Sequence, residues 1–194
     1  FSHIQILGNG PSLKLLDFHK INTELVIGCN WLFLHKDFEV IDENCILCFS
    51  DPSFAKLNPS KWLAKLIYKN CKILIPDNWH SIINWINLQK SFNERVFTFG
   101  LSGSYKNYNL NDCKSNLVDF PSLKYTASVM TTICLPLVNK INPNEISING
   151  VDANYFKNGK FDPYFFDLKE NHSYNHSSQE AENWSINFNR ELSW

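Results

Sequence analysis

The chain has 194 residues, of which 44% are hydrophobic and 14% aromatic, and its formal net charge is -1. That length and apolar content suit one globular domain with a sizeable core, while the near-zero charge supplies no basic field of the kind that draws a protein to nucleic acid. No run approaches the roughly 20 apolar residues of a membrane span, and no charged-then-apolar leader opens the chain.

Ile4 to Leu7 is a short apolar run that stops in Gly8-Asn9-Gly10-Pro11-Ser12-Leu13. The glycines remove Cβ atoms where backbone approaches a ligand, and Pro11 suits the first position of a helix whose free N–H groups attract anions. The segment therefore reads as a first strand delivering a phosphate-binding loop, followed by a short helix over Leu13 to Phe18. It is neither a dinucleotide fingerprint, since Leu13 stands where the last glycine belongs, nor a Walker loop, since Gly-Lys-Ser/Thr is missing.

Leu25 to Asn30 reads as a second buried strand with Asn30 at its tip. Ile46 to Phe49 is a third, closed by Ser50-Asp51-Pro52-Ser53 and followed by a helix through Trp62 and Tyr68. Cys71 to Ile75 is a fourth strand, Trp79 to Leu88 a helix, and Val96 to Phe99 a fifth strand. From Gly100 to Asp119 the composition turns polar without a period, which predicts a loop or lid over about 100–120. Ser128 to Ile141 has a helical pattern despite Pro136, and Ile146 to Ile148 reads as the next strand, ending in Asn149-Gly150-Val151-Asp152. The tail from Ala153 is aromatic and polar, with a polar final helix over Ser178 to Leu192. This alternation predicts an α/β fold: one Rossmann-like domain over 1–194 with a mostly parallel sheet flanked by helices.

Six cysteines sit mostly inside apolar runs, where free Cys behaves as a small buried hydrophobe. A reduced, cytoplasmic setting is expected. Cys45-Ile-Leu-Cys48 has CxxC spacing, but on a strand residues three apart face opposite ways and grip no metal.

Ligands of open parallel sheets bind beyond the carboxyl ends of the strands. Pooling the polar tips gives Gly8, Asn9, Gly10, Ser12, Asn30, Asp51, Thr126 and Asp152 as candidate nucleotide-binding residues, a set of amides and hydroxyls suited to base, ribose and phosphate. Any one of them also serves as a turn or cap residue. In the tail, His176 is a candidate general base, and Tyr155 and Tyr164 offer phenolic O–H groups that can hold a departing phosphate oxygen. No Asp-x-Asp occurs in the chain, so no metal site is expected.

With these residues assembled, the chain resembles the bacterial CMP-sialic-acid sialyltransferases of glycosyltransferase family 42 and the broader group that shares the Gly-x-Gly-Pro-Ser-Leu opening. The resemblance runs from Ile4 to about Asn187. It is carried by Gly8 to Leu13, Cys29-Asn30, Gly150-Val151-Asp152 with Asn158-Gly159, and Asn175-His176-Ser177. It implies a Rossmann-like domain binding a CMP-linked sugar, with no metal or other cofactor required. Asn9, Ser12 and Asn30 would lie near phosphate and ribose and Asp152 near the nucleotide. His176 would deprotonate an acceptor hydroxyl for inverting displacement, while Tyr155 and Tyr164 steady the leaving phosphate, within a catalytic tail of about 152–177. Two positions depart from the family pattern: Asp51 stands for an Asn, and Lys124-Tyr125-Thr126-Ala127-Ser128 for Arg-x-Thr-Ser-Gly.

The function expected on these grounds is sugar transfer from a nucleotide sugar to a glycan acceptor in bacterial lipooligosaccharide or capsule biosynthesis. The setting would be cytoplasmic, at the inner face of the membrane through segments not present here, with oligomers open. Two alternatives stand beside it: a nucleotide-dependent diphosphokinase of the related group, and a non-catalytic nucleotide-sugar-binding module.

Overall fold

The computed structural model describes residues 1–103, 110–126, 128–152, 156–157 and 160–161. Seven strands form one parallel sheet: β1 (His3–Leu7), β2 (Leu25–Cys29), β3 (Cys45–Cys48), β4 (Lys72–Pro76), β5 (Val96–Ser102), β6 (Ser122–Lys124) and β7 (Glu145–Asn149). Their spatial order is β6-β5-β4-β3-β2-β1-β7. The fold is the α/β, Rossmann-like one that the alternation of apolar runs and helices predicts. Phe156–Lys157 and Lys160–Phe161 form a separate antiparallel ribbon.

β1 and β2 sit mid-sheet and are buried along almost their whole length, as strands covered on both faces must be. One face packs an aromatic cluster under the tips of β2 and β3, with Trp31 and Phe54 ring centroids 4.5 Å apart, Phe54 and Trp62 4.9 Å, and Phe49 and Trp62 5.0 Å. The other face packs Ile4, Ile6, Ile27, Phe99 and Leu101 against Val129, Met130, Ile133 and Val138 of the segment that returns from β6 to β7. Cys45 belongs to the first cluster and Cys48 to the second, which places the CxxC pair on opposite faces. The described cysteines, Cys29, Cys45, Cys48, Cys71 and Cys134, are all buried and unbridged.

Several connections differ from the pattern read from sequence. The helix expected over Leu13 to Phe18 is two 3-10 turns, Pro11–Leu15 and Phe18–Lys20, because Leu16 and Asp17 are extended and Asp17 caps the second turn. After β3 the chain makes α1 (Pro52–Lys56), α2 (Pro59–Trp62) and a 3-10 turn at Leu63–Leu66, since Pro59 cannot continue α1 and Asn58 starts a new turn by accepting from the Ser60 N–H. α3 (His80–Asn87) stands where a helix was expected, and α4 (Lys90–Asn93) follows it.

The lid expected over about 100–120 is corrected on both sides of residues 104–109, which lie outside the described residues. β5 runs on to Ser102, and α5 occupies Leu110–Asp119. α5 escapes a hydrophobic-period reading because a buried polar residue ties it down. Asn116 Nδ2 donates to the Lys124 carbonyl and Asn116 Oδ1 accepts from the Lys124 N–H, both at 2.8 Å.

The segment from Ser128 to Ile141 is helical as expected, but Met130–Cys134 is a π turn before α6 (Leu135–Ile141). Pro136 has no N–H to continue the α ladder, and a shift to wider turns accommodates it. No helix among the described residues is long and apolar enough to cross a membrane.

Candidate functional site

β1 and β7 are neighbours although five other strands separate them in sequence, so the strand order reverses there, where open α/β sheets leave a crevice beyond the carboxyl ends. The loops leaving these two strands are bonded to each other. Gly8 N–H donates to the Asn149 carbonyl at 2.8 Å, Gly10 N–H to the Gly150 carbonyl at 2.7 Å, and Ser12 N–H to Asp152 Oδ2 at 2.9 Å. This contact explains both glycines of the opening loop. A Cβ on Gly8 would stand 2.3 Å from the Gly150 oxygen, and one on Gly10 would stand 2.0 Å from Asp152 Oδ2.

Asn9 and Asn30 follow the carboxyl ends of the adjacent β1 and β2. Asn30 holds a left-handed backbone, φ 43°, which Asn tolerates better than most side chains. Each presents a buried Oδ1 that meets no donor among the described residues, and Ser53 Oγ, just past the tip of β3, shares that condition. Buried polar atoms are normally satisfied, so three unpartnered ones following three neighbouring strands make this edge a candidate site. Trp62 Nε1 is a fourth such atom, on α2 within the aromatic cluster.

Asp51 caps α1, its Oδ1 accepting from the Ser53 N–H at 2.9 Å. Its charge is felt by Tyr125. Burial pushes that phenol above its ordinary pKa, a hydrogen bond with the Trp79 side chain pulls it down, and the Asp51 charge pushes it up again. The segment after β6 therefore reaches back over the tips of β4 and β3. Thr126 lies buried in a hydroxyl network, with Oγ1 2.7 Å from Thr131 Oγ1 and 2.8 Å from Thr132 Oγ1, which staples that segment to the start of the returning helix.

The structure thus brings Gly8, Asn9, Gly10, Ser12 and Asp152 together across the β1/β7 reversal, with Asn30 on the next tip and Asp51 on the one after. Thr126 joins the rim through Tyr125. His176, Tyr155 and Tyr164 lie outside the described residues, as do Ala127, Asn158 and Gly159. Sequence reasoning missed Ser53, Trp79 and Tyr125: Ser53 reads as one of the turn residues closing the third strand and lies instead in α1, and the other two meet only once the chain after β6 doubles back. Among the described residues, no three His, Cys, Asp or Glu side chains are grouped to hold a metal ion.

Comparison of the chain with protein-family models, curated proteins and solved structures gives no match.

Proposed function

We propose that the chain is an inverting, metal-independent glycosyltransferase that takes a sugar from a nucleotide-linked donor, CMP-linked in the reading the family resemblance implies, and passes it to a hydroxyl of a surface glycan. The observation that carries this reading is the pair of buried, unpartnered amide oxygens of Asn9 and Asn30 beside the strand-order reversal. Neutral amide groups at the carboxyl edge of a parallel sheet, beside the strand-order reversal, suit the polar face of a nucleotide sugar.

In this reading His176 takes the proton of the acceptor hydroxyl as its oxygen attacks the anomeric carbon. The bond from that carbon to the phosphate oxygen breaks on the opposite face, so the electron pair leaves with the nucleotide and the sugar inverts. Tyr155 and Tyr164 donate hydrogen bonds to the departing phosphate.

A binding screen of CMP, UDP and GDP tests the nucleotide assignment: selective CMP binding supports it, and purine-only or absent binding overturns it. His176→Ala should then leave nucleotide affinity nearly intact and cut turnover about 10²–10⁴-fold. Unchanged turnover removes His176 from the mechanism. Strict dependence on Mg²⁺ would move the assignment to phosphoryl transfer, and binding without turnover across a broad acceptor panel would leave a nucleotide-sugar-binding module.

A further inference from the structure

We propose that the open edge of β7 pairs antiparallel with β7 of a second copy of this chain, joining the two seven-stranded sheets across a two-fold axis at Ser147. This pairing is independent of what the crevice binds.

The sheet ends in two edges, and they differ. β6 is three residues long, follows Pro121 and ends in Lys124, the features that keep an edge strand from pairing. β7 is five residues long and contains neither Pro nor Lys. Ile4 and Ile6 of β1 are fully buried, yet Ile146 and Ile148, their register partners on β7, are 47% and 49% exposed. The described residues that come next, Phe156–Lys157 and Lys160–Phe161, pair with each other and not with β7.

The backbone shows which groups face outward. The Glu145 N–H donates to the Ser2 carbonyl at 3.0 Å, and the Asn149 carbonyl accepts from the Gly8 N–H at 2.8 Å. Both residues therefore turn their polar groups to β1. Direction alternates along a strand, so the N–H and C=O groups of Ile146 and Ile148 point to the open edge. The residues with exposed apolar side chains are the ones with outward backbone groups.

The occupant that this edge fits is its own copy. In an antiparallel pairing centred on Ser147, Ile146 stands opposite Ile148 of the second copy, and Ile148 opposite its Ile146. These are the hydrogen-bonded positions, so each pair exchanges both bonds and sets two isoleucines side by side on one face. On the other face Glu145 stands opposite Asn149 of the second copy, so no like charges meet. Asn149 Oδ1 accepts from Gln5 Nε2 at 2.6 Å, which leaves the amide N–H groups to donate to that carboxylate. Sliding the pairing by one rung either way would put an isoleucine of each chain opposite Asn144 or Gly150. With a net charge of -1 the two copies repel each other little. A two-fold pairing uses up β7, and the blunted β6 gives no second edge, so assembly stops at two chains.

Light scattering and sedimentation of the whole chain at micromolar concentration should give the mass of a dimer. Ile146→Lys combined with Ile148→Lys sets lysine opposite lysine on both rungs and should weaken that dimer more than about tenfold. Both side chains are half-exposed, so the circular dichroism spectrum should not change. Ser147→Cys gives a reading that does not depend on the lysine variant. Its two copies would meet at a non-hydrogen-bonded position with Cα atoms about 4.5 Å apart, within reach of a disulfide, so a mild oxidant should link them into a covalent dimer. Glu145→Cys, whose copies lie out of register with each other, should not link. A chain that stays monomeric at every concentration overturns the pairing and leaves the edge to residues 162–194 or to another protein. A dimer that withstands both lysines, or that links through Glu145→Cys as readily as through Ser147→Cys, uses another surface and refutes it as well. Dispersal by the lysines without linkage through Ser147→Cys refutes the register.

Discussion

The backbone N–H of Ser12 donates to the carboxylate of Asp152 at 2.9 Å, joining two loops that lie 140 residues apart in the chain. The same carboxylate stands 2.0 Å from where a Cβ on Gly10 would be placed. Asp152 acts as an N-cap delivered from a distant strand, and its removal should cost about 1 kcal/mol, the usual value of a cap. Asp152→Asn keeps an acceptor and should cost less than Asp152→Ala. Gly10→Ala should cost more than either, roughly 1–3 kcal/mol, because the new methyl group meets both Asp152 and the Gly150 carbonyl, 2.8 Å away. Denaturant melts of the three variants and of the Gly10→Ala, Asp152→Ala double check this. The double should be milder than the sum, since losing the carboxylate relieves one of two clashes. Strict additivity would mean that the loops do not touch.

His35 links the opening loop to the segment after β2 and sets a pH dependence. Its ring is buried and stacks on Phe18 at 3.9 Å between centroids and 12° between planes, and its Nδ1 accepts from the Asp37 N–H at 3.2 Å. Burial pushes its pKa below the ordinary value. A hydrogen bond to the Leu13 backbone and the Asp37 charge pull it up, and Lys36 pushes it down again. The unfolded chain therefore takes up this proton at a pH where the folded chain still refuses it. The contribution is fully present above the unfolded pKa of about 6.5 and is lost as pH falls below it. The melting temperature should decline from pH 7 to pH 5.5. His35→Phe, which keeps the stack but not the hydrogen bonds, should start lower and decline less, and an equal slope in both proteins would exclude His35 as the source.

The parts legible in the sequence are those where one residue's type decides its environment. β1 to β4 are largely buried, so their apolar runs leave little choice, and the polar residues Asn9, Asn30 and Asp51 that follow the first three runs lie beyond the carboxyl ends of β1, β2 and β3. α5 and β6 were hidden because Asn116 occupies a buried position that a pattern reading gives to an apolar side chain. At the site, position was readable but orientation was not. Asp152 turns to Ser12, Thr126 turns into a cluster of hydroxyls, and the association of Tyr125 with Trp79 and Asp51 exists only after the chain has crossed three strand tips. Those relationships are set by tertiary packing, and no spacing in the sequence encodes them.

Asn116 should therefore behave as a core residue. Its side chain makes both hydrogen bonds to the Lys124 backbone, and no apolar replacement can satisfy that N–H and carbonyl. Asn116→Leu, despite being a better helix former, should destabilise by about 2–4 kcal/mol, from two lost bonds and two buried groups left without partners. Asn116→Asp should keep the bond from the Lys124 N–H and lose the other, falling between the two. Thermal melts rank the three, and a Leu variant as stable as the parent would show that β6 is held by other contacts.

The buried thiols should be chemically silent until the protein unfolds. Burial pushes the Cys71 thiol up to about 12, with the Asp42 charge adding to it against the pull of Arg95. Burial also raises Cys45 and Cys134 well above the ordinary thiol value, and the Sγ atoms of Cys29 and Cys134 lie 3.4 Å apart without a bond. At pH 8 a thiol of pKa about 12 is ionised in roughly one molecule in 10⁴, against about a quarter for an unperturbed cysteine, and only the thiolate is alkylated. Iodoacetamide at pH 8 should leave Cys45, Cys71 and Cys134 unmodified over times that fully label a model thiol, and denaturant should release all three together. Peptide mass mapping reads each site separately. Early labelling of Cys71 alone would mean that the chain entering β4 opens locally, whereas simultaneous release ties the thiols on both faces of the sheet to one cooperative core.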